Sequence, residues 1–407
     1  MDGLILAVFV FTYAGMALGG VPGLRLDRSG QALLAVVALL ASRAVAVDGI
    51  GKAIDMPTLL LLFALMIVSA QFAGAGFYDW VAGRLAAASG SPGRLLALVV
   101  VVAGGLSAIL ANDIIAFAMA PILAEGTRRR GLDPRPFLIA LAGACNAGSA
   151  MTVIGNPQNI LIAQTGGLDF WRFLMVCGPP GLVSMLIVWA VVRRQWRHTL
   201  AAAPAVALPM PPLPDRWQTA KGLIALLALA ALFATPLPRD IGALVIAALL
   251  LISRKMSSRE MIGAVDWHLL LLFACLFVVT HAFAGTDLAR DGVTWLGSHH
   301  LLPDRLTVMA PLLTLLSNSI GNVPAVIMIL SMWPHPPAGA MMGMALLSTL
   351  AGNLLLVGSL ANLIVVERAA GVGVRLSFVD HARSGVPITL ASLAIAAGWL
   401  ALIGAMG

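Results

Sequence analysis

Charge is what this sequence has least of. Asp, Glu, Lys and Arg make up 11% of its 407 residues, and 60% are hydrophobic. A soluble domain carries roughly 25% charged residues. Mean hydropathy is +0.97. No segment is long and polar enough to form a separate soluble domain, and no Gly-rich loop ends in Gly-Lys-Ser/Thr. Together these absences argue against ATP-driven chemistry within the chain. Cysteine is also scarce: Cys145, Cys177 and Cys275 stand alone in apolar segments, without metal spacing or an even-numbered disulfide framework. They read as small buried hydrophobes. No Ser/His/Asp set or metal-ligand cluster appears, so the sequence does not read as an enzyme. No Lys or Arg precedes the first apolar run, LILAVFVFTYAGMALGG at 4–20. A signal peptide has the opposite charge order, so this run reads as a first span with the N-terminus outside.

What is present is a series of apolar runs of about 20 residues, the length that crosses a bilayer as a helix. Ten candidate spans lie near 3–20, 31–48, 57–75, 137–165, 172–193, 219–236, 240–253, 266–284, 339–366 and 385–405. Two more apolar tracts, 95–124 and 306–333, are interrupted near their middles. The expected fold is an all-α polytopic membrane protein.

The halves repeat. LLLLFA occurs at 59–64 and at 269–274, and the same shift superposes Ser107 on Ser317 and Asn112 on Asn322. GNPQN at 155–159 matches GSLAN at 358–362. The expected division is a first repeat at 1–200, a Pro-rich cytoplasmic linker at 201–217 and a second repeat at 218–407. Five spans per half is an odd number, so the second repeat must enter the membrane inverted. With both interrupted tracts as re-entrant hairpins, six of the 25 Lys and Arg residues face outside (Arg43, Lys52, Arg172, Arg239, Arg290 and Arg305) and the other 19 face the cytoplasm. That split obeys the positive-inside rule, with both termini outside, in a bacterial-type cytoplasmic (inner) membrane. It also explains the net charge of +7 without any nucleic-acid partner.

Arm lengths support the hairpins. Beyond Asp113 only 114–124 stays apolar before Glu125. Eleven residues at 1.5 Å each cover about 16 Å, roughly half the hydrocarbon core. The tips are expected at Ala111-Asn112-Asp113 and Gly321-Asn322-Val323. Each hairpin is followed by a span with its own break: 137–165 contains Thr152, Gly155, Asn156, Pro157, Gln158 and Asn159, and 339–366 contains Asn353, Gly358, Ser359 and Asn362. Proline and glycine unwind the helix there, and unwound backbone at that depth must line a cavity or lie buried in protein. Four half-helix junctions near the midplane offer N–H groups to an anion and carbonyls to a cation. The candidate binding residues are Asn112, Asp113, Thr152, Gly155, Asn156, Asn159, Ser317, Asn322, Asn353, Gly358, Ser359 and Asn362. Asp113 alone among the 18 acidic residues sits deep in an apolar segment. It is the candidate carrier of a coupling proton or sodium ion, with Asn112 beside it.

The run Ala-Asn-Asp…Pro (111–121), Gly-Asn-Pro-Gln-Asn (155–159), Gly-Asn-Val-Pro (321–324) and Gly-Ser-Leu-Ala-Asn (358–362) resembles the ion transporter superfamily. That group includes arsenite permeases, divalent-anion/sodium symporters, citrate carriers and some sodium/proton antiporters. The resemblance covers nearly the whole chain. It implies re-entrant hairpins and homodimers with elevator-type movement. In the dicarboxylate symporters the hairpin tips read Ser-Asn-Thr; here Asn112 and Asn322 match the Asn, while the hydroxyls are absent. Ala-Asn-Asp and Gly-Ser-Leu-Ala are closer to the arsenite permease pattern, and Gly-Asn-Pro-Gln-Asn is similar to a bacterial inner-membrane branch.

The expected function is ion-coupled secondary transport of a small inorganic or organic anion, with no bound cofactor beyond the coupling ion. A sodium/proton antiporter using Asp113, and a channel subunit for an ATPase-driven pump, stay open as alternatives.

Overall fold

The computed structural model describes all residues except 20–23, 89, 201–209, 236, 334 and 407. Among the described residues all regular structure is helical. The first half comprises α1 Asp2–Leu18, α2 Arg28–Ala41, α3 Val47–Ala53, α4 Met56–Gly74, α5 Phe77–Ala87, α6 Pro92–Ile109, α7 Asn112–Arg129, α8 Arg135–Ser149, α9 Pro157–Thr165, α10 Phe170–Gln195 and the short α11 Arg197–Leu200. The second half comprises α12 Arg216–Phe233, α13 Arg239–Leu251, α14 Ser258–Gly263, α15 Trp267–Ala284, α16 Asp287–Ser298, α17 Leu306–Ile320, α18 Asn322–Met332, α19 Ala338–Ala351, α20 Leu360–Gly371 and α21 Phe378–Leu402. By length and composition α4, α6, α10, α15 and α21 can each cross a membrane; other apolar helices, such as α1, α2 and α17, are shorter.

Local chemistry sets the helix starts. Asp55 accepts from Thr58 N–H to open α4, and Asp266 accepts from Leu269 N–H to open α15. Asp169 and Asp215 open α10 and α12 in the same way. A carboxylate at this position satisfies otherwise free N–H groups and faces the positive helix end. Ser377 and Asp380 form a reciprocal capping box at α21.

Some expectations need adjusting. The expected span 31–48 ends at Ala41, and a separate short helix, α3, follows. Of the expected linker 201–217, residues 201–209 lie outside the described residues; 210–215 are non-helical and α12 begins at Arg216. Helices α5 and α16 carry no hydropathy signal in the sequence, because their mixed composition breaks the apolar pattern. They occupy matching places, 210 residues apart.

The first interrupted tract breaks at Leu110 and Ala111, and Asn112 is already the first residue of α7. Helix α7 runs through Pro121 to Arg129, beyond the expected end of the apolar arm at 124. The helical pattern simply continues into polar residues, which a count of apolar ones does not register. In the second tract the break is Gly321 alone, at φ 94° and ψ 159°, a conformation open essentially to glycine.

The core is built around α8 and α19. Every residue from Pro136 to Ser149, and from Ala340 to Ala351, is buried. Helices apolar on all sides belong inside a larger structure. Small residues let them pack closely: a Cβ on Gly148 would overlap the Gly104 carbonyl of α6.

Candidate binding site

Each central helix leads into unwound chain. Helix α8 gives way after Ser149 to an irregular segment that ends at Asn156, whose extended backbone starts α9 with Pro157 at its head. Helix α19 gives way after Ala351, passes a 3-10 turn at Leu356–Gly358 and reaches Ser359, which caps α20.

The two breaks are held by the same hydrogen bonds, displaced by 203 residues. Asn159 Nδ2 donates to Ser149 O (3.1 Å) and Thr152 O (2.9 Å). Asn362 Nδ2 donates to Gly352 O (2.8 Å) and Leu355 O (3.0 Å). Each Asn therefore clamps carbonyls freed by the unwinding. Across the interface, Asn156 Nδ2 donates to Thr349 Oγ1 (3.2 Å), and Ser359 Oγ donates to Asn146 Oδ1 (2.8 Å). Asn146 Nδ2 also reaches Asn353 Oδ1 (2.8 Å) and Asn362 Oδ1 (3.1 Å). Thr152 Oγ1 donates to Ala108 O, tying the first break to the end of α6. Nearly all of these groups are buried, where an unmade hydrogen bond costs about 1–3 kcal/mol. Thr152, Asn156, Asn159, Asn353, Ser359 and Asn362 thus converge as a network whose side chains support backbone and one another.

Where α6 gives way to α7 and α17 to α18 the pattern differs. Asn112, 5% exposed, leaves its Oδ1 without a partner, while its backbone N–H meets Gly155 O at 3.3 Å. With its amide nitrogen turned toward the surrounding acceptors, Asn322 donates to Gly358 O (2.9 Å), Ser317 Oγ (3.1 Å) and Ser348 O (3.2 Å). Asp113 is half-buried and forms no hydrogen bond or ion pair among the described residues.

Two cavities meet at Asp113. A small one of about 70 Å³ is lined by Asn112, Asp113, Gln158, Asn322, Ser359 and Arg28, with Gly321 at its edge. A larger one of about 370 Å³ is walled by apolar residues of α4, α7, α9 and α15, with Asp113, Asn156 and Asp266 as its polar members. The small cavity lies between the N-termini of α7 and α18, whose free N–H groups favour negative charge. Among the described residues no group of three His, Cys, Asp or Glu residues converges as a metal site. The three cysteines are buried and unbridged.

Several residues here escaped the sequence reading. Asn146 and Thr349 are equivalent under the 203-residue shift, and extending the repeat beyond its short matches finds them. Asn318 binds both Ala351 O (2.9 Å) and Leu355 N–H (3.1 Å). Arg28 reads as a loop cation, and only tertiary structure brings it to the cavity.

A polytopic helical chain whose helix ends meet around cavities has the build of a membrane transporter. The comparison with known families agrees: residues 7–336 match the CitMHS citrate transporter family, and the chain belongs to it. It is 31% identical to a 46 kDa membrane protein of Mycobacterium leprae (strain TN), over 98% of each chain. It is 28% identical to the silicon efflux transporter LSI3 of Oryza sativa subsp. japonica, over 92% of each. Its fold is similar to the YdaH transporter of Alcanivorax borkumensis, with a TM-score of 0.57 and 16% identity, covering 99% of this chain and 96% of that one.

Proposed function

We propose that the protein is an ion-coupled secondary transporter that moves a small anion across the cytoplasmic membrane. In this reading it has about ten transmembrane helices, two inverted repeats, and re-entrant hairpins α6–α7 and α17–α18. Asn112 and Asn322 frame the substrate, and Asp113 carries the coupling proton or sodium ion. The observation that carries the reading is the meeting of two cavities at Asp113, beside two helix N-termini. An anion is stabilised by such N-termini, and a carboxylate next to it lets a cation or proton travel along. A relative named as a silicon efflux transporter supports the transport reading. With both termini outside, the larger cavity faces the cytoplasm, because it is walled by the C-terminal part of α4 and the start of α15. This corresponds to an inward-facing state of each protomer in a homodimer.

Proteoliposomes test it. Anion-dependent uptake that collapses when the proton and sodium gradients are removed is expected. Asp266 beside Asp113 in the larger cavity favours a second reading, sodium/proton antiport without an anion. Sodium-driven dissipation of a pH gradient in the absence of any transportable anion selects that one. Flux indifferent to every ion gradient rules out both and leaves a channel.

A further inference from the structure

We infer that Arg28 is an anion-binding residue of the small cavity, supplying the positive charge opposite Asp113. The inference rests on the anion-transport reading above and adds a residue to it. Arg28 is the first residue of α2, directly after the capping Asp27. Its position in the chain is that of a cytoplasmic loop cation, yet its side chain lines the 70 Å³ cavity together with both hairpin-tip asparagines. Its Nε is buried without an acceptor, and it has no ion pair among the described residues. A guanidinium is always charged and is a donor only, so a buried N–H of this kind calls for an acceptor.

The other lining groups narrow what that acceptor is. Gln158 Nε2 is engaged by Thr349 Oγ1 at 3.1 Å, and Ser359 Oγ by Asn146. The groups left for a ligand are the Arg28 guanidinium, the second Gln158 amide hydrogen, the helix-end N–H groups and the Asn112 amide, with the Asp113 carboxylate lining the same cavity. Arg28 and Asp113 are opposite charges lining the same cavity without an ion pair between them. At about 30 Å³ of liquid volume per water, the 70 Å³ cavity has room for roughly two or three waters, which limits a bound anion to a compact one. Arg28 suits such a ligand, because its planar fork can hold two oxygens at once. With a cation or proton on Asp113, Arg28 is free for the anion. With the site empty, the two side chains attract each other across the cavity. One pair of residues thereby links anion binding to the coupling ion.

Thermal unfolding of the purified full-length protein tests this, with sodium sulfate, sodium phosphate and sodium citrate each compared with sodium chloride at equal ionic strength. A ligand that binds the folded state raises its melting point. The wild type is expected to be stabilised by at least one of these anions. Arg28→Gln is expected to need about tenfold or more anion for the same shift, as suits a lost charge-assisted hydrogen bond. Arg28→Lys, which keeps the charge but not the fork, should fall between them with unchanged melting in chloride, and it carries the test if Arg28→Gln does not fold. Arg25→Gln, at an exposed position just before α2, should match the wild type. Equal responses of the wild type and both Arg28 variants overturn the assignment and leave the anion reading standing. If none of the three anions stabilises even the wild type, the anion reading itself falls, and Arg28 with it.

Discussion

At the scale of single residues, the buried asparagines divide by what their amides touch. Asn159 and Asn362 spend both amide hydrogens on carbonyls of the unwound chain. Replacing either with Ala strips two buried carbonyls of their donor and should cost about 1–3 kcal/mol, read as a lower melting point of similar size for both variants. Asn112 lines a cavity and leaves its buried amide oxygen unpartnered among the described residues. Asn112→Ala should leave stability nearly unchanged while transport in proteoliposomes is lost; a large drop in melting point would show that its role is structural. Asp113→Asn should fold normally and abolish the dependence of transport on pH or sodium. Unchanged coupling in that variant removes Asp113 from the mechanism. The sequence marks all of these positions, since a polar residue in an apolar run is visible by itself. Which polar groups are satisfied is not visible, because their partners lie up to 216 residues away.

At the scale of elements, the breaks in the helices are the fold's working parts, and their chemistry is local. Gly321 separates α17 from α18 at a φ of 94°. Gly321→Ala should therefore destabilise by about 1–3 kcal/mol and disturb transport, since the strained tip forms the edge of the small cavity. Pro157 and Gly155 announce the first break in the sequence, and Asn156 and Ser359 cap the helices that resume. The amphipathic connectors α5 and α16 carry no such signal. Their place is held by contacts such as those of Arg130, 4% exposed, which donates to Ala86 O (3.3 Å) and Ala88 O (2.9 Å) at the end of α5. A cation there satisfies carbonyls that a helix C-terminus leaves free.

At the scale of the whole molecule, the proposed inversion of the halves makes a geometric prediction. Single cysteines at Arg129→Cys and Asp291→Cys, in a background lacking Cys145, Cys177 and Cys275, should react with a membrane-impermeant reagent from opposite sides. Labelling of both from one side overturns the inverted arrangement. The entry to the second half is also clipped to the first: Asp215 N–H donates to Ala75 O at 2.9 Å, and its carboxylate takes a hydrogen bond from Lys255 at 2.8 Å. That hydrogen bond holds the Asp215 carboxyl below its ordinary range. A depressed folded value means the stabilisation is present above the unfolded value of about 3.9 and is lost as pH falls through the folded one. Asp215→Asn, which can still cap α12, should melt lower than the wild type at pH 7, and the gap should narrow as pH falls below about 3.9.

The sequence by itself determined the membrane class, the order of the apolar helices, the positions of the four breaks and the repeat that relates them. Each follows from properties carried along the chain: hydropathy, proline, glycine and spacing. Tertiary structure alone decided which asparagines are clamps and which face a cavity. It also brought Asp266 and Arg28, remote from Asp113 in the chain, into the cavities that Asp113 lines. Burial, hydrogen-bond satisfaction and charge proximity depend on distances between elements, and a linear pattern carries no such distances.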